Sequence, residues 1–215
     1  MTQFEAGMSV ILALNLKKDV PEVGATYESI EPRTSKEKEI LYFRATEFFT
    51  VVRDQEKATY YLGELEKNTD DQDLKDTATV EFECTFDRCA LALGKLQRLS
   101  IKFPNSMGYR SLLGYAYADR RQFKEAAEQF DIVVQNEAVD SLDSTTALVG
   151  IVSYANSKQK DKARRLYEIF TSTAQPQPGI NEENFAKMRE IVDDTSGKEF
   201  LFSDWPINDQ LKSNQ

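Results

Sequence analysis

Apolar residues recur at helical spacing along most of this chain, and the clearest example lies near its middle. Phe123, Ala126, Phe130 and Val133 occupy positions i, i+3, i+7 and i+10, which share one face of an α-helix. Residues 109–118 form a second apolar stretch, and a short polar turn separates the two. The pattern predicts two helices joined by a tight turn, which is a helix hairpin.

The hairpin pattern recurs along the chain at intervals of 34 to 37 residues. A small or branched residue marks the second helix of each copy, namely Val23, Ala58, Ala92, Ala126 and Ala163. Apolar residues stand four and seven positions after each of them, as Phe130 and Val133 do after Ala126. One hairpin cannot bury its apolar stripe alone, whereas stacked hairpins bury a continuous core. The sequence therefore predicts a helical repeat protein.

Residues 113–130 resemble the signature of the tetratricopeptide repeat. The residues that carry the resemblance are Leu113, Gly114, Tyr117, Phe123, Glu125, Ala126 and Phe130. Arg121 stands where the family often has Gly, and Ala138 stands where it often has Pro. The resemblance implies an all-α fold, a right-handed α-α superhelix of about five helix hairpins with a C-terminal capping helix. It also implies a function in protein–protein interaction.

The repeat register gives the expected boundaries. Hairpins are predicted at residues 3–34, 36–69, 73–104, 107–138 and 142–174, and a capping helix at 181–193. These elements form one predicted repeat domain over residues 1–194, followed by a tail over 195–215. Glu83 stands where the other repeats have an apolar residue, so the third hairpin is expected to be irregular.

Composition argues against catalysis and against nucleic-acid binding. The chain contains no His, which is the commonest general base and metal ligand in proteins. The formal net charge is −9, whereas binding to a phosphate backbone needs a basic surface. No phosphate-binding loop or nucleophile motif stands in the sequence. We expect no enzymatic activity, no metal and no cofactor, and a partner that is another protein or peptide.

The sequence also argues against one ligand class of the family that it resembles. Tetratricopeptide domains that hold chaperone C-termini carry Lys, Asn and Arg at fixed first-helix positions. The matching positions here hold none of these residue types: Met8, Leu12, Glu47, Thr77, Glu81, Ser111 and Tyr115. A carboxylate clamp for a chaperone tail is therefore not expected.

The first helices of the repeats supply the candidate binding residues. By the repeat register, a concave face would be lined by Met8, Leu12, Phe43, Glu47, Leu74, Glu81, Ser111, Tyr115, Leu148 and Val152. This mixture of apolar and acidic side chains suits a polypeptide with apolar anchors and some basic residues. The alternative is that these side chains pack against neighbouring helices.

The C-terminal tail carries a second set of candidates. Phe200, Phe202 and Trp205 stand there among polar residues. They either fold back onto the last helices or dock into another subunit. In the second case the chain would be a structural subunit of a larger complex, anchored through its tail.

The two cysteines bear on the compartment. Cys84 and Cys89 are either small, semi-buried residues at a hairpin or a short disulfide in an oxidising compartment. No apolar stretch reaches the length of a membrane span, and no basic leader precedes the short apolar run near the N-terminus. We expect a cytoplasmic protein. The alternative is a periplasmic or envelope-associated assembly factor from which an export signal has been removed.

One basic cluster stands out in this acidic chain. It comprises Lys158, Lys160, Lys162, Arg164 and Arg165. The cluster is either a solvated helix face or a docking site for an acidic partner or a membrane surface.

Overall fold

A computed structural model of the chain describes residues 4, 6–8, 20–136, 144–173 and 182–200. Ten α-helices and one short 3-10 helix have defined bounds in these ranges, which contain no strand. The predicted all-α class is therefore confirmed for the described residues. The chain divides into two compact units, unit 1 over residues 1–99 and unit 2 over residues 100–215.

Unit 1 is built from successive antiparallel helices. Its elements are α1 (Val20–Ser29), α2 (Ser35–Val51), α3 (Gln55–Asn68), α4 (Gln72–Thr85), a 3-10 turn (Cys89–Ala92) and α5 (Leu93–Lys102), which ends just inside unit 2. Helix α2 packs against α1, α3 and α4. The core of unit 1 lies between these helices and is rich in aromatic rings, with Phe49 and Tyr61 stacked at 5.4 Å between centroids.

Unit 2 continues with the same kind of element. It contains α6 (Met107–Asp119), α7 (Phe123–Asn136), α8 (Ser144–Asn156), α9 (Lys160–Thr173) and α10 (Glu182–Asp193), followed by residues 194–200, which are not helical. Helix α8 packs against α6, α7, α9 and α10. The core of unit 2 includes Phe130 on α7 and Ile151 on α8, both 0% exposed.

Short polar side chains define where several helices begin. Thr34 starts α2 with a reciprocal cap, since its hydroxyl accepts from the Glu37 N–H and the Glu37 carboxylate accepts from the Thr34 N–H. The side chains of Asp54, Asp71 and Ser106 accept first-turn N–H groups of α3, α4 and α6. Such caps satisfy amides that have no partner within the helix.

The hairpin turns repeat with the same geometry in both units. Each has one non-glycine residue in the left-handed region: Arg53 (φ 60°), Asp87 (58°), Arg121 (57°) and Lys158 (65°). In each turn the next residue donates its N–H to a first-helix carbonyl five positions earlier, as Gln122 does to Tyr117. The recurring small residue of the second helices is at most 1% exposed in every copy. The repeat pattern in the sequence is therefore present in the backbone.

Helices α4 and α5 of unit 1 are joined by a buried ion pair. Asp76 on α4 is 2% exposed, and its carboxylate accepts two hydrogen bonds from the Arg98 guanidinium at 2.9 and 3.0 Å. The Gln72 amide donates to it at 2.8 Å, and the Lys95 ammonium lies 3.5 Å away. Burial alone would raise the pKa of Asp76, but these donors and cations hold it below its usual value.

The third hairpin carries a disulfide between Cys84 and Cys89. This bond is one of the two alternatives that the sequence left open. The 3-10 turn begins at Cys89, and the Glu83 carboxylate accepts from the Arg88 guanidinium at 2.8 Å. Arg88 also lies over the Phe82 ring, 5.2 Å from its centroid. An ion pair and a disulfide thus occupy the turn beside which Glu83 breaks the apolar pattern of the repeat.

Candidate functional site

Two carboxylates at equivalent repeat positions mark the candidate site in unit 1. Glu47 on α2 and Glu81 on α4 are 34 residues apart in the sequence, on helices that pack together. Burial, followed by the negative charge of Glu47, raises the pKa of Glu81 to about 7, and the Arg44 charge only partly opposes the rise. Glu81 is therefore partly protonated near neutral pH.

Arg44 is the local cation of this site. Its guanidinium donates to the Glu47 carboxylate at 2.7 Å and lies 5.5 Å from the Phe43 ring centroid. Among the described residues, Glu81 has no ion-pair partner of its own. The sequence analysis missed Arg44, although opposite charges three residues apart on a helix are a recognisable signal.

Half-buried apolar side chains flank the carboxylates. Phe43 and Leu74 are partly exposed and pack against the core of unit 1, as does Met8. Helices α2 and α4 thus each carry a partly exposed apolar side chain and a carboxylate. We call Phe43, Arg44, Glu47, Leu74 and Glu81 the unit 1 acidic face.

A buried tyrosine stands near the acidic face. Tyr27 on α1 is 4% exposed, and its ring lies 5.3 Å from that of Phe48. Burial and the Glu47 charge raise the pKa of Tyr27 to about 12, so its hydroxyl keeps its proton at neutral pH. The electrostatic influence of Glu47 therefore reaches both Glu81 and the core beside α1.

The corresponding positions of unit 2 are more deeply packed. Ser111 and Tyr115 are half-buried, and the Tyr115 hydroxyl is 2.6 Å from that of Thr146. Leu148 and Val152 are 1% and 0% exposed and belong to the core of unit 2. Since these two side chains are enclosed, they offer no surface to a ligand in this conformation.

Of the remaining predicted site residues, one packs onto its own unit, and three lie outside the part of the chain that the structure describes. Phe200 is 8% exposed and belongs to the core of unit 2. The Asn156 side chain accepts its N–H at 2.9 Å and donates to its carbonyl at 2.8 Å. Phe200 thus folds back onto its own chain. Leu12, Phe202 and Trp205 lie outside the described residues.

Neither a metal centre nor a membrane span is found in the described ranges. No three His, Cys, Asp or Glu side chains of those ranges come together as a metal site would require. None of the helices there combines the length and apolar character needed to cross a membrane.

Solved structures of two other proteins are similar to this chain. YrrB, a TPR protein with an unusual peptide-binding site, is 17% identical with a TM-score of 0.64, over 86% of this chain and 90% of that one. PilF of Pseudomonas aeruginosa is 13% identical with a TM-score of 0.60, over 99% of this chain and 98% of that one. No protein-family model and no curated protein matches the sequence. The fold of the chain is therefore that of tetratricopeptide-repeat proteins.

Proposed function

We propose that this chain is a protein-interaction module that binds a polypeptide at the unit 1 acidic face, as an adaptor or assembly scaffold. The observation that carries the proposal is the pair Glu47 and Glu81, two carboxylates on helices that pack together. Within the described part of the chain, only the first of them has a paired cation. YrrB, a TPR protein with a peptide-binding site, supplies the precedent that this fold can bind peptides. No catalytic role is assigned to any residue.

The chemistry of the face defines the ligand. An incoming Lys or Arg would favour the charged form of Glu81, whose pKa would then fall from about 7. Phe43 and Leu74 are positioned to contact an apolar residue beside that cation. The expected ligand is therefore an extended or helical segment that alternates basic and apolar side chains.

Removing both carboxylates should abolish this preference. We expect the variant Glu47→Gln/Glu81→Gln to bind peptides with a Lys-Leu-Lys core at least about tenfold more weakly, because charge-assisted hydrogen bonds are lost. The measurement is fluorescence anisotropy with labelled peptides selected from an array of basic and apolar sequences. A matched array with Glu in place of Lys should yield no binders.

Two controls make this test decisive. Glu66→Gln, on the exposed part of α3, removes a charge away from the face and should leave affinity unchanged. Affinity should fall as pH is lowered through about 7, because Glu81 becomes protonated there. Equal binding by both variants, or affinity that is flat across that range, would rule out the acidic face as the site.

A second candidate function follows from the disulfide. We propose as an alternative that the chain is an assembly factor of an oxidising compartment, such as the cell envelope, because disulfides persist in such compartments. The Cys84–Cys89 bond supports this alternative. It would change where the chain works, and the ligand chemistry of the acidic face would stay the same.

Reduction of the disulfide should weaken the fold of unit 1. Opening a loop this short should lower the free energy of unfolding by about 2 kcal/mol, since the crosslink restricts the unfolded chain. The measurement is urea unfolding followed by circular dichroism, with and without a reductant. The Cys84→Ser/Cys89→Ser variant should not respond to the reductant, and wild type that is equally insensitive would contradict a stabilising role for the bond.

A further inference from the structure

A cleft in unit 2 is independent of the acidic face. It measures about 640 Å³ and lies where α7 and α9 begin, where α8 and α10 end, and beside the segment 194–200. A volume of this order lies within the range of small ligand sites. Its lining includes Arg121, Phe123, Lys158, Asp194, Glu199 and Phe200.

The charge of the cleft is opposite to that of the chain. Four lining side chains are cationic and two are carboxylates, whereas the whole chain has a formal net charge of −9. Lys158 has no carboxylate partner among the described residues. Arg121 is only loosely paired, with its Nε 3.7 Å from Glu199. Lys198 is paired with Glu190 at 2.9 Å and Lys160 donates to the Asp194 carbonyl, so Arg121 and Lys158 are the lining cations best placed to meet a ligand's carboxylates.

The cations lie beside a firm apolar wall. Ile191 and Phe200 are 2% and 8% exposed, and Phe123 packs against the same core. Asn156 holds the backbone of Phe200 through two hydrogen bonds, and the Lys198 ammonium lies 5.0 Å above the Phe200 ring. Cationic and apolar groups are thus held side by side before a ligand arrives.

We propose that this cleft binds an acidic polypeptide segment in which an apolar side chain stands between carboxylates. Charge complementarity carries the proposal, because Arg121 and Lys158 would meet the carboxylates. The half-buried Phe123 would receive the side chain between them, because Ile191 and Phe200 behind this wall are themselves enclosed. This site lies in the other unit from the acidic face and selects the opposite charge, so the inference goes beyond the proposed function.

A peptide fits this cleft better than a polyanionic surface does. Asp194 and Glu199 within the lining would repel a dense array of phosphates. The strongly acidic chain around the cleft would repel an anionic membrane or a nucleic acid in the same way. A short segment with two carboxylates avoids both penalties because it touches only the local cations.

Binding of designed peptides tests the proposal. The probe is a short fluorescein-labelled peptide with a Glu-Leu-Glu core, measured by anisotropy at low ionic strength with the full chain. We expect Arg121→Gln/Lys158→Gln to weaken binding roughly fivefold to tenfold, as expected for two solvent-exposed charge contacts. The matched control Lys36→Gln/Lys67→Gln removes two exposed lysines of unit 1 and should leave affinity unchanged.

Peptide variants separate the two parts of the site. Gln-Leu-Gln should lose binding because it lacks charge, and Glu-Ser-Glu should lose it because nothing fills the apolar wall. Equal weakening by Arg121→Gln/Lys158→Gln and by the control Lys36→Gln/Lys67→Gln would overturn the proposal, as would undiminished binding of either altered peptide. Binding of anionic phospholipid vesicles or of polyphosphate in place of the Glu-Leu-Glu peptide would also overturn it. These outcomes do not depend on the acidic face, so the two proposals fail separately.

Discussion

Replacement of Phe130 by Ala is expected to lower the free energy of unfolding by about 3–5 kcal/mol. Phe130 is 0% exposed, and its ring lies over two glycines, Gly114 on α6 and Gly150 on α8. A Cβ built on Gly114 would lie 2.7 Å from the ring, so the ring fills all the space that the glycine leaves. Three helices of unit 2 therefore close around this one side chain, and its removal leaves a cavity that rigid backbone cannot fill. Urea unfolding monitored by circular dichroism measures the loss.

A graded replacement serves as the control for Phe130. Phe130→Leu keeps much of the apolar volume and should lose clearly less stability than Phe130→Ala. Val134→Ala removes a partly exposed side chain of the same helix and should cost less than either. Equal losses for Phe130→Ala and Phe130→Leu would show that ring volume is not what holds these helices together.

Replacement of Asp76 by Ala is expected to lower the free energy of unfolding by about 3 kcal/mol. The buried carboxylate accepts from Gln72 and, through both of its oxygens, from Arg98. Its loss leaves the guanidinium without the partner that joins α5 to α4. The penalty falls at the lower end for buried pairs because the Arg98 side chain is 58% exposed and can regain water. Urea unfolding again provides the measurement.

Acid titration provides the control for Asp76. A carboxylate whose folded-state pKa lies below its unfolded value of about 3.9 adds stability above that value, and the stability is lost as pH falls through the folded pKa. Wild type should thus lose more stability than Asp76→Ala below about pH 4. Asp70→Ala, at an exposed loop position, should change stability by less than about 0.5 kcal/mol. Parallel acid curves for wild type and Asp76→Ala would contradict a pKa below its usual value.

The repeat could be predicted from the sequence because it depends on the spacing of residues that are close together in the chain. Ala126, Phe130 and Val133 are spaced by the pitch of one helix, and all three are buried. The turn at Arg121 follows from the same register, which places it where related repeats often have Gly. Such features depend on residues within about 40 positions of one another, so they can be recognised in the sequence.

The candidate site was less predictable because it depends on which helices enclose a residue. Glu81 and Val152 occupy the same repeat position, yet Glu81 is half-buried beside Glu47 while Val152 is 0% exposed. Their periodicity is identical, and only tertiary packing separates them. The cleft of unit 2 combines Arg121, Lys158 and Lys198, which are too far apart in sequence to form a visible motif.

The hairpin turns, each with one residue in the left-handed region, place particular side chains at defined positions on this fold. Backbone hydrogen bonds fix each turn, and the residue at its tip is charged in all four. The Arg53 guanidinium donates to the Thr85 carbonyl, Arg121 faces Glu199, and Lys158 lines a cleft. One backbone geometry thus serves three different contacts. The residues at the tips of the turns can therefore change, and with them the partners that the protein recognises, while the residues that determine the fold lie in the helices.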